Sequence, residues 1–147
     1  MSEKRYGHSS SDEKLLDMHD CCIDEISFED GKLSFYFNEG VYIASDGRSD
    51  AKSRAKAVYM LNRGCEDDAL VYLSRKGVFG KKIVEEWKLE RLINTVNEGR
   101  LKLEFLYQYK DEASGYIIKC HPISYKKPYY IGCQIELNVK DTLYYWN

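Results

Sequence analysis

From Leu101 to Tyr109 the chain alternates between apolar and polar positions. Leu101, Leu103, Phe105, Tyr107 and Tyr109 fall on one parity, Lys102, Glu104 and Gln108 on the other, and Leu106 is the exception. Successive side chains of a strand point to opposite faces, so this period of two predicts a β-strand that lays an apolar, aromatic face on a core. The pattern extends downstream. A turn around Glu112-Ala113 sets Tyr109 opposite Tyr116, Tyr107 opposite Ile118 and Phe105 opposite Cys120. A second turn around Lys126-Lys127 sets Cys120 opposite Cys133, Ile118 opposite Ile135 and Tyr116 opposite Leu137. Ile131, Cys133, Ile135, Leu137 and Val139 share that parity, with Gly132, Gln134, Glu136 and Asn138 pointing away. The two turns yield one apolar face, which predicts an antiparallel unit of three strands. Asp141 to Asn147 is expected to dock on the sheet or close an edge.

Upstream, Met1 to Lys14 is polar and Ser-rich without period, so residues 1–14 read as a mobile, disordered lead-in and 15–147 as a single β-rich domain. Ile26 and Phe28 lead into Glu29-Asp30-Gly31, a hairpin signal, and Leu33, Phe35 and Phe37 return on one parity. Asn38-Glu39-Gly40 predicts a further turn into a third strand carrying Val41 and Ile43. Between Asp50 and Gly64 two readings compete. A helix would take Asp50 as N-cap, Ala51, Ala55, Val58 and Leu61 as its stripe and Gly64 as its stop. A strand would take Ala55, Ala57, Tyr59 and Leu61 as one face and pair with Leu70 to Ser74; neighbouring strands on both sides favour it. Val78 to Trp87 is expected to be extended. Leu89, Leu92, Ile93 and Val96 recur at helical spacing before Asn97-Glu98-Gly99, predicting one short amphipathic helix near 88–98. The expected fold is mainly β (α+β), an antiparallel two-sheet sandwich or partly open barrel with that helix covering an end or an edge.

Composition narrows the partners. Lys plus Arg is 22 against Asp plus Glu 24, a net charge of −2, so the summed field does not draw phosphate and nucleic acid is disfavoured. The apolar runs are far shorter than the roughly 20 residues of a membrane-spanning helix, and no membrane is expected among its partners. Five cysteines at irregular spacing, without a secretory leader pattern, read as reduced thiols of a cytoplasmic protein.

Residue types that carry chemistry cluster in His19-Asp20-Cys21-Cys22 and in Cys120-His121. If the two segments met, His19, Cys21 or Cys22, Cys120 and His121 could hold a tetrahedral zinc, but the spacing fits none of the paired metal-ligand patterns. The competing reading is that buried cysteine serves as a small hydrophobe, with no metal and no cofactor. Cys120 opposite Cys133 would bring two thiols within disulfide reach, and reduced core thiols are the preferred state. Nearness of His19, Asp20 and Cys21 along the chain does not make a triad, and no G-x-S-x-G, phosphate-cradling glycine loop or H-E-x-x-H occurs, so a non-enzymatic role is expected. Arg75-Lys76 with Lys81-Lys82, and Lys126-Lys127 beside Tyr125, Tyr129 and Tyr130, either form a basic, aromatic surface for single-stranded nucleic acid or guard hairpin tips against unwanted strand pairing; the second account is preferred.

Thirteen tyrosines exceed what one core requires. Tyr36, Tyr42, Tyr129, Tyr130, Tyr144 and Trp146 are candidate contacts for a protein partner, because exposed aromatics bring large area at little entropy cost. Equally, a second sheet or the helix could cover them. The segment from Met18 to Tyr42, with His-Asp-Cys followed by Ile-Asp-Glu-Ile-Ser-Phe-Glu-Asp-Gly-Lys-Leu-Ser-Phe-Tyr-Phe and a glycine turn, resembles the opening of small uncharacterised bacterial β-rich proteins, several of them grouped with immunity proteins of polymorphic toxin systems. That resemblance implies a small intracellular protein that binds another protein, and it carries over no catalytic residue. The expected function is a protein-binding module, and the resemblance implies one of immunity type; the alternative is a small-molecule-binding β-barrel or sandwich whose inward Tyr and Phe line a cavity.

Overall fold

The structure, a computed structural model, describes residues 6–44, 52–111 and 115–147. Its strands are β1 (His8–Ser10), β2 (Leu16–Asp17), β3 (Cys22–Ile23), β4 (Glu25–Glu29), β5 (Lys32–Ile43), β6 (Lys52–Leu61), β7 (Ala69–Lys76), β8 (Lys82–Trp87), β9 (Leu101–Lys110), β10 (Gly115–Ser124) and β11 (Tyr130–Trp146). Every described pairing is antiparallel, in two sheets that share β11. The C-terminal half of β11 pairs with β1 and β6, and β6 continues to β5, which carries β4 and β2; this is the first sheet. The N-terminal half pairs with β7 and β10, extended by β8 on one side and by β9 and β3 on the other; this is the second sheet. A register shift between Val139 and Asp141 marks the passage from one sheet to the other. The segment from Asp141 to Trp146 is therefore the C-terminal half of the strand common to both sheets, with β1 and β6 on its two sides, where docking on the sheet or closure of an edge is what the sequence predicts.

The inner faces meet through aromatic rings. Phe37 of β5 lies edge-on to Phe105 of β9 with centroids 6.2 Å apart, and Tyr59 of β6 lies edge-on to Tyr116 of β10 at 5.7 Å. The inward Tyr and Phe thus pack on one another. α1 (Leu89–Asn97) buries Leu89, Leu92 and Val96 and ends where Gly99 takes a φ of +77°. Its last residue covers an edge: the Asn97 side chain accepts from the Ile26 N–H and donates to the Ile26 carbonyl of β4, both at 2.8 Å. These bonds satisfy backbone groups that an uncovered edge would leave to water.

Three strand assignments hold in detail. β4 and β5 turn through Asp30 and Gly31, both at positive φ, as the Asp-Gly signal requires. Residues 52–61 extend, burying Ala55, Ala57, Tyr59 and Leu61; Asp50 and Ala51, and Glu112 and Ala113 where a turn is predicted, lie outside the described residues. β10 and β11 pair with Tyr116 opposite Leu137, Ile118 opposite Ile135 and Cys120 opposite Cys133.

Elsewhere the chain departs from the expected pattern. Phe105 faces Cys120, but Tyr107 faces Lys119 and Tyr109 faces Ile117, because Leu106 is an extra residue in β9. That bulge reverses the parity beyond it: Tyr107 and Tyr109 are about half exposed, at 51% and 47%, and Gln108 points inward. A second shift, between Tyr130 and Gly132, turns Ile131 out of the core. Asn38-Glu39-Gly40 is a bulge within β5, and no turn forms there. Gly40 has a φ of +100°, and a Cβ there would stand 2.7 Å from the Lys52 Cβ, so glycine permits the close approach of β6. β6 pairs with β5 and β11; its expected partner, β7, lies against β11 and β8. Val78–Gly80 is a short 3-10 turn at a hairpin tip, so only the part from Lys82 is extended. The polar start is anchored from Tyr6 onward: β1 pairs with Tyr144, Tyr145 and Trp146, and the His8 ring stacks on Trp146 at 5.5 Å.

Candidate functional site

Exposed apolar surface collects on the second sheet. Among the described residues, the large apolar side chains left exposed within strands are Leu70 and Val84 on β7 and β8, Tyr107 and Tyr109 on β9, and Ile131 on β11. The others, Val78, Phe79, Tyr125 and Tyr129, occupy the β7–β8 and β10–β11 hairpin tips at one end of the same sheet. Register arranges the outer face in rows. Glu86, Tyr72, Gln134, Lys119 and Tyr107 run across five strands, and Leu70, Glu136, Ile117 and Tyr109 across four. Beside the first row, Val84, Ser74 and Gly132 form a lower one. The small residues there make the floor of a groove of about 430 Å³, walled by Tyr72, Tyr107, Lys119 and His121.

Polar contacts order this face. The Lys119 ammonium donates to the Gln134 side-chain oxygen, and the Gln134 amide donates to Glu136 at 3.1 Å. Tyr107 and Tyr109 stack with centroids 6.1 Å apart and 20° between planes, one beside the groove and one next to it. Neither ring would be here without the Leu106 bulge.

The bulge is held by the segment that carries the most conspicuous chemical residues. The Asp20 N–H donates to the Phe105 carbonyl and the Phe105 N–H to the Cys21 carbonyl, both at 2.8 Å, while His19 Nδ1 lies 2.6 Å from the Leu106 carbonyl oxygen. A carbonyl only accepts, so Nδ1 carries the hydrogen. The Leu106 carbonyl first, and then Asp20 3.4 Å from Nε2, raise the His19 pKa above its ordinary value. His19 is a latch on β9.

The other candidates are placed as follows. Cys21 is buried, its thiol raised by desolvation, and Cys22 lies in β3 with its thiol raised for the same reason. Cys120 and Cys133 face each other as free buried thiols; burial raises Cys120 well above the usual thiol value and pushes Cys133 up to about 12. These are poor nucleophiles at neutral pH. His121 is on the outer face, with the parity opposite to Cys120. Among the described residues, no three His, Cys, Asp or Glu side chains are grouped to hold a metal.

The aromatic candidates divide. Tyr129 is exposed, and Tyr36 and Tyr42 are half-buried. The Lys56 ammonium covers the rings of Tyr36 and Tyr145 at 5.6 and 4.9 Å, and Lys52 covers Tyr42 at 5.3 Å, so these three tyrosines of the first sheet already carry cations. Tyr130, Tyr144 and Trp146 belong to the core, so for these three candidates the covered alternative holds and not the contact surface. Tyr144 accepts from Gln108 at 2.9 Å, and Tyr130 donates to Glu85 at 3.1 Å. Glu85 also receives Arg75 at 2.6 Å and Trp87 at 3.0 Å, and these hydrogen bonds, that of Arg75 foremost, hold its carboxyl below the usual range. Sequence reasoning missed Tyr72, Tyr107 and Tyr109 as surface residues. The signal for the last two was Leu106, an apolar residue out of phase.

Comparison of the chain with protein-family models, with curated proteins and with solved structures found no match.

Proposed function

We propose that the protein is a non-enzymatic binding module whose partner, another protein, docks on the outer face of the second sheet. The observation that carries this reading is the segregation of exposed apolar side chains: all of those among the described residues belong to that sheet and its hairpin tips, and two bulges turn Tyr107, Tyr109 and Ile131 outward onto it. Rigid aromatics flanking a small-residue floor suit a partner's protruding side chain, and Lys119, Gln134 and Glu136 supply orienting hydrogen bonds at the rim. The resemblance of the Met18–Tyr42 segment supports one specific form of this reading, an immunity-type protein that covers a toxin inside the cell.

The test uses the whole chain as bait in native lysate. Gly132→Leu fills the groove without backbone strain, since a Cβ there meets Ser74 only at 3.7 Å, an ordinary contact. Gly132→Leu and the pair Tyr107→Ala with Tyr109→Ala are expected to lose the captured protein by about tenfold or more, whereas Tyr42→Ala on the first sheet retains it. The reading fails if the bait returns alone while native mass spectrometry shows a bound small molecule, the outcome that the ligand-binding alternative requires.

A further inference from the structure

The β7–β8 and β10–β11 hairpins end side by side, because Arg75 pairs with Tyr130 and Lys76 with Lys82. Residues 75–82 and 124–129 together hold six cations, Arg75, Lys76, Lys81, Lys82, Lys126 and Lys127, and no acid, in a chain whose net charge is −2. Arg75 is paired with Glu85; among the described residues the five lysines form no ion pair, and all are exposed. Ahead of them stand Val78 and Phe79. Phe79 is fully exposed and has a φ of 68°, a conformation Phe rarely adopts, and the tip is closed by the Gly77 N–H to the Lys81 carbonyl at 2.6 Å. A backbone outlier that presents an apolar ring to water is a reason to look for what receives the ring. Behind the tips, a groove of about 610 Å³ runs between Arg75, Lys76, Lys127, Pro128, Tyr129 and Ile131.

We propose that this end of the second sheet docks on the surface of an anionic lipid bilayer, with Val78 and Phe79 entering the interface and the lysines lying against the headgroups. The order of groups matches what a bilayer offers: apolar depth at the apex, negative charge one layer back, and tyrosines at the boundary. Neither an apolar wedge nor a basic patch alone anchors a protein firmly, and the two occur together here. Single-stranded nucleic acid would also attract the lysines. It fits less well: Phe79, Tyr125 and Tyr129 offer π faces, but Val78 beside Phe79 at the apex and Ile131 in the groove offer only apolar surface, which a bilayer receives and a base does not stack on. Docking of this kind is peripheral; among the described residues no helix is long and apolar enough to cross a membrane.

The experiment is co-sedimentation of the full chain with vesicles of phosphatidylcholine alone and of phosphatidylcholine containing about a third phosphatidylserine, in low and in molar salt. Binding is expected only to the anionic vesicles, and molar salt, which shortens the screening length to about 3 Å, is expected to release it. Phe79→Ser and the pair Lys126→Glu with Lys127→Glu are each expected to lower the partition coefficient about tenfold or more. These positions are exposed at hairpin tips, and far-ultraviolet circular dichroism checks that the variants fold. Phe79→Trp adds a second readout, a blue shift of its fluorescence on addition of anionic vesicles. The proposal is overturned by absence of binding to anionic vesicles, by binding that Phe79→Ser leaves unchanged, or by tighter binding to an oligothymidine than to vesicles. None of these substitutions touches Tyr107, Tyr109 or Gly132, so its failure is distinguishable from failure of the protein-binding reading.

Discussion

His19 shows how one side chain can look catalytic and act on the backbone. Its ring is anchored by Nδ1 to the Leu106 carbonyl and flanked by Asp20, itself in the left-handed region at a φ of 65°. Because folding raises its pKa, the contribution of His19 to stability is fully present below the unfolded value of about 6.5 and is lost as pH rises through the higher folded value. Titration followed by nuclear magnetic resonance should place the His19 midpoint above that of an unstructured histidine. Asp20→Asn, which keeps a residue tolerant of positive φ, should move the midpoint down but leave it above the ordinary value, since the Leu106 carbonyl remains. A midpoint at or below the ordinary value would mean that the imidazole does not hold the bulge.

At the scale of elements, the bulge in β9 exchanges side chains between surface and core. Gln108, carried inward, receives the Tyr59 hydroxyl and donates to Tyr144 at 2.9 Å and to Glu13 at 2.6 Å. Tyr59 and Tyr144 are fully buried; the Tyr59 hydroxyl relies on this amide, whereas Tyr144 also hydrogen-bonds with Thr142. Gln108→Leu should therefore cost about 2–3 kcal/mol in denaturant unfolding, the penalty of burying polar groups whose partner has been removed. Adding Tyr59→Phe should recover part of that loss, because deleting both partners of a bond costs less than orphaning one. The register of β10 against β11 was legible because apolar and polar residues alternate without interruption from Cys133 to Val139 of β11, with Ile117 of β10 the one apolar residue on the outward parity of the paired stretch. In β9 the aromatic residues Tyr107 and Tyr109 suit either face, so periodicity left the reversal at Leu106 undecided. Asn38-Glu39-Gly40 has the composition of a turn because a bulge and a turn both ask glycine for positive φ. β6 and β7 were expected to pair as chain neighbours, but each lies instead on β11, a partner that only the completed fold brings to them. The groove escaped sequence reading for the same reason: Ser74 and Gly132 become its floor only once β7 and β11 are side by side.

For the whole molecule, the consequence of a shared strand is cooperativity. β11 contributes Cys133, Ile135 and Leu137 to one sheet and Tyr144 and Trp146 to the other, all within the same buried cluster. Neither sheet can open without exposing the inner face of its neighbour. The two tryptophans report on opposite parts: Trp87 ends β8 in the second sheet, under Arg91 at 3.9 Å, and Trp146 ends β11 in the first, against His8. Trp87→Phe leaves Trp146 as the only tryptophan, and Trp146→Phe leaves Trp87. Each variant is expected to unfold in urea in a single transition, with its tryptophan fluorescence and its far-ultraviolet circular dichroism coinciding. A midpoint for Trp87 well separated from the circular dichroism of the same variant would mean that the second sheet melts on its own, and that its outer face can be remodelled while the first sheet stays folded. Coincidence would instead require any partner of that face to meet it as a rigid surface, with the positions of Tyr107 and Tyr109 set before contact by the same core that holds the first sheet together.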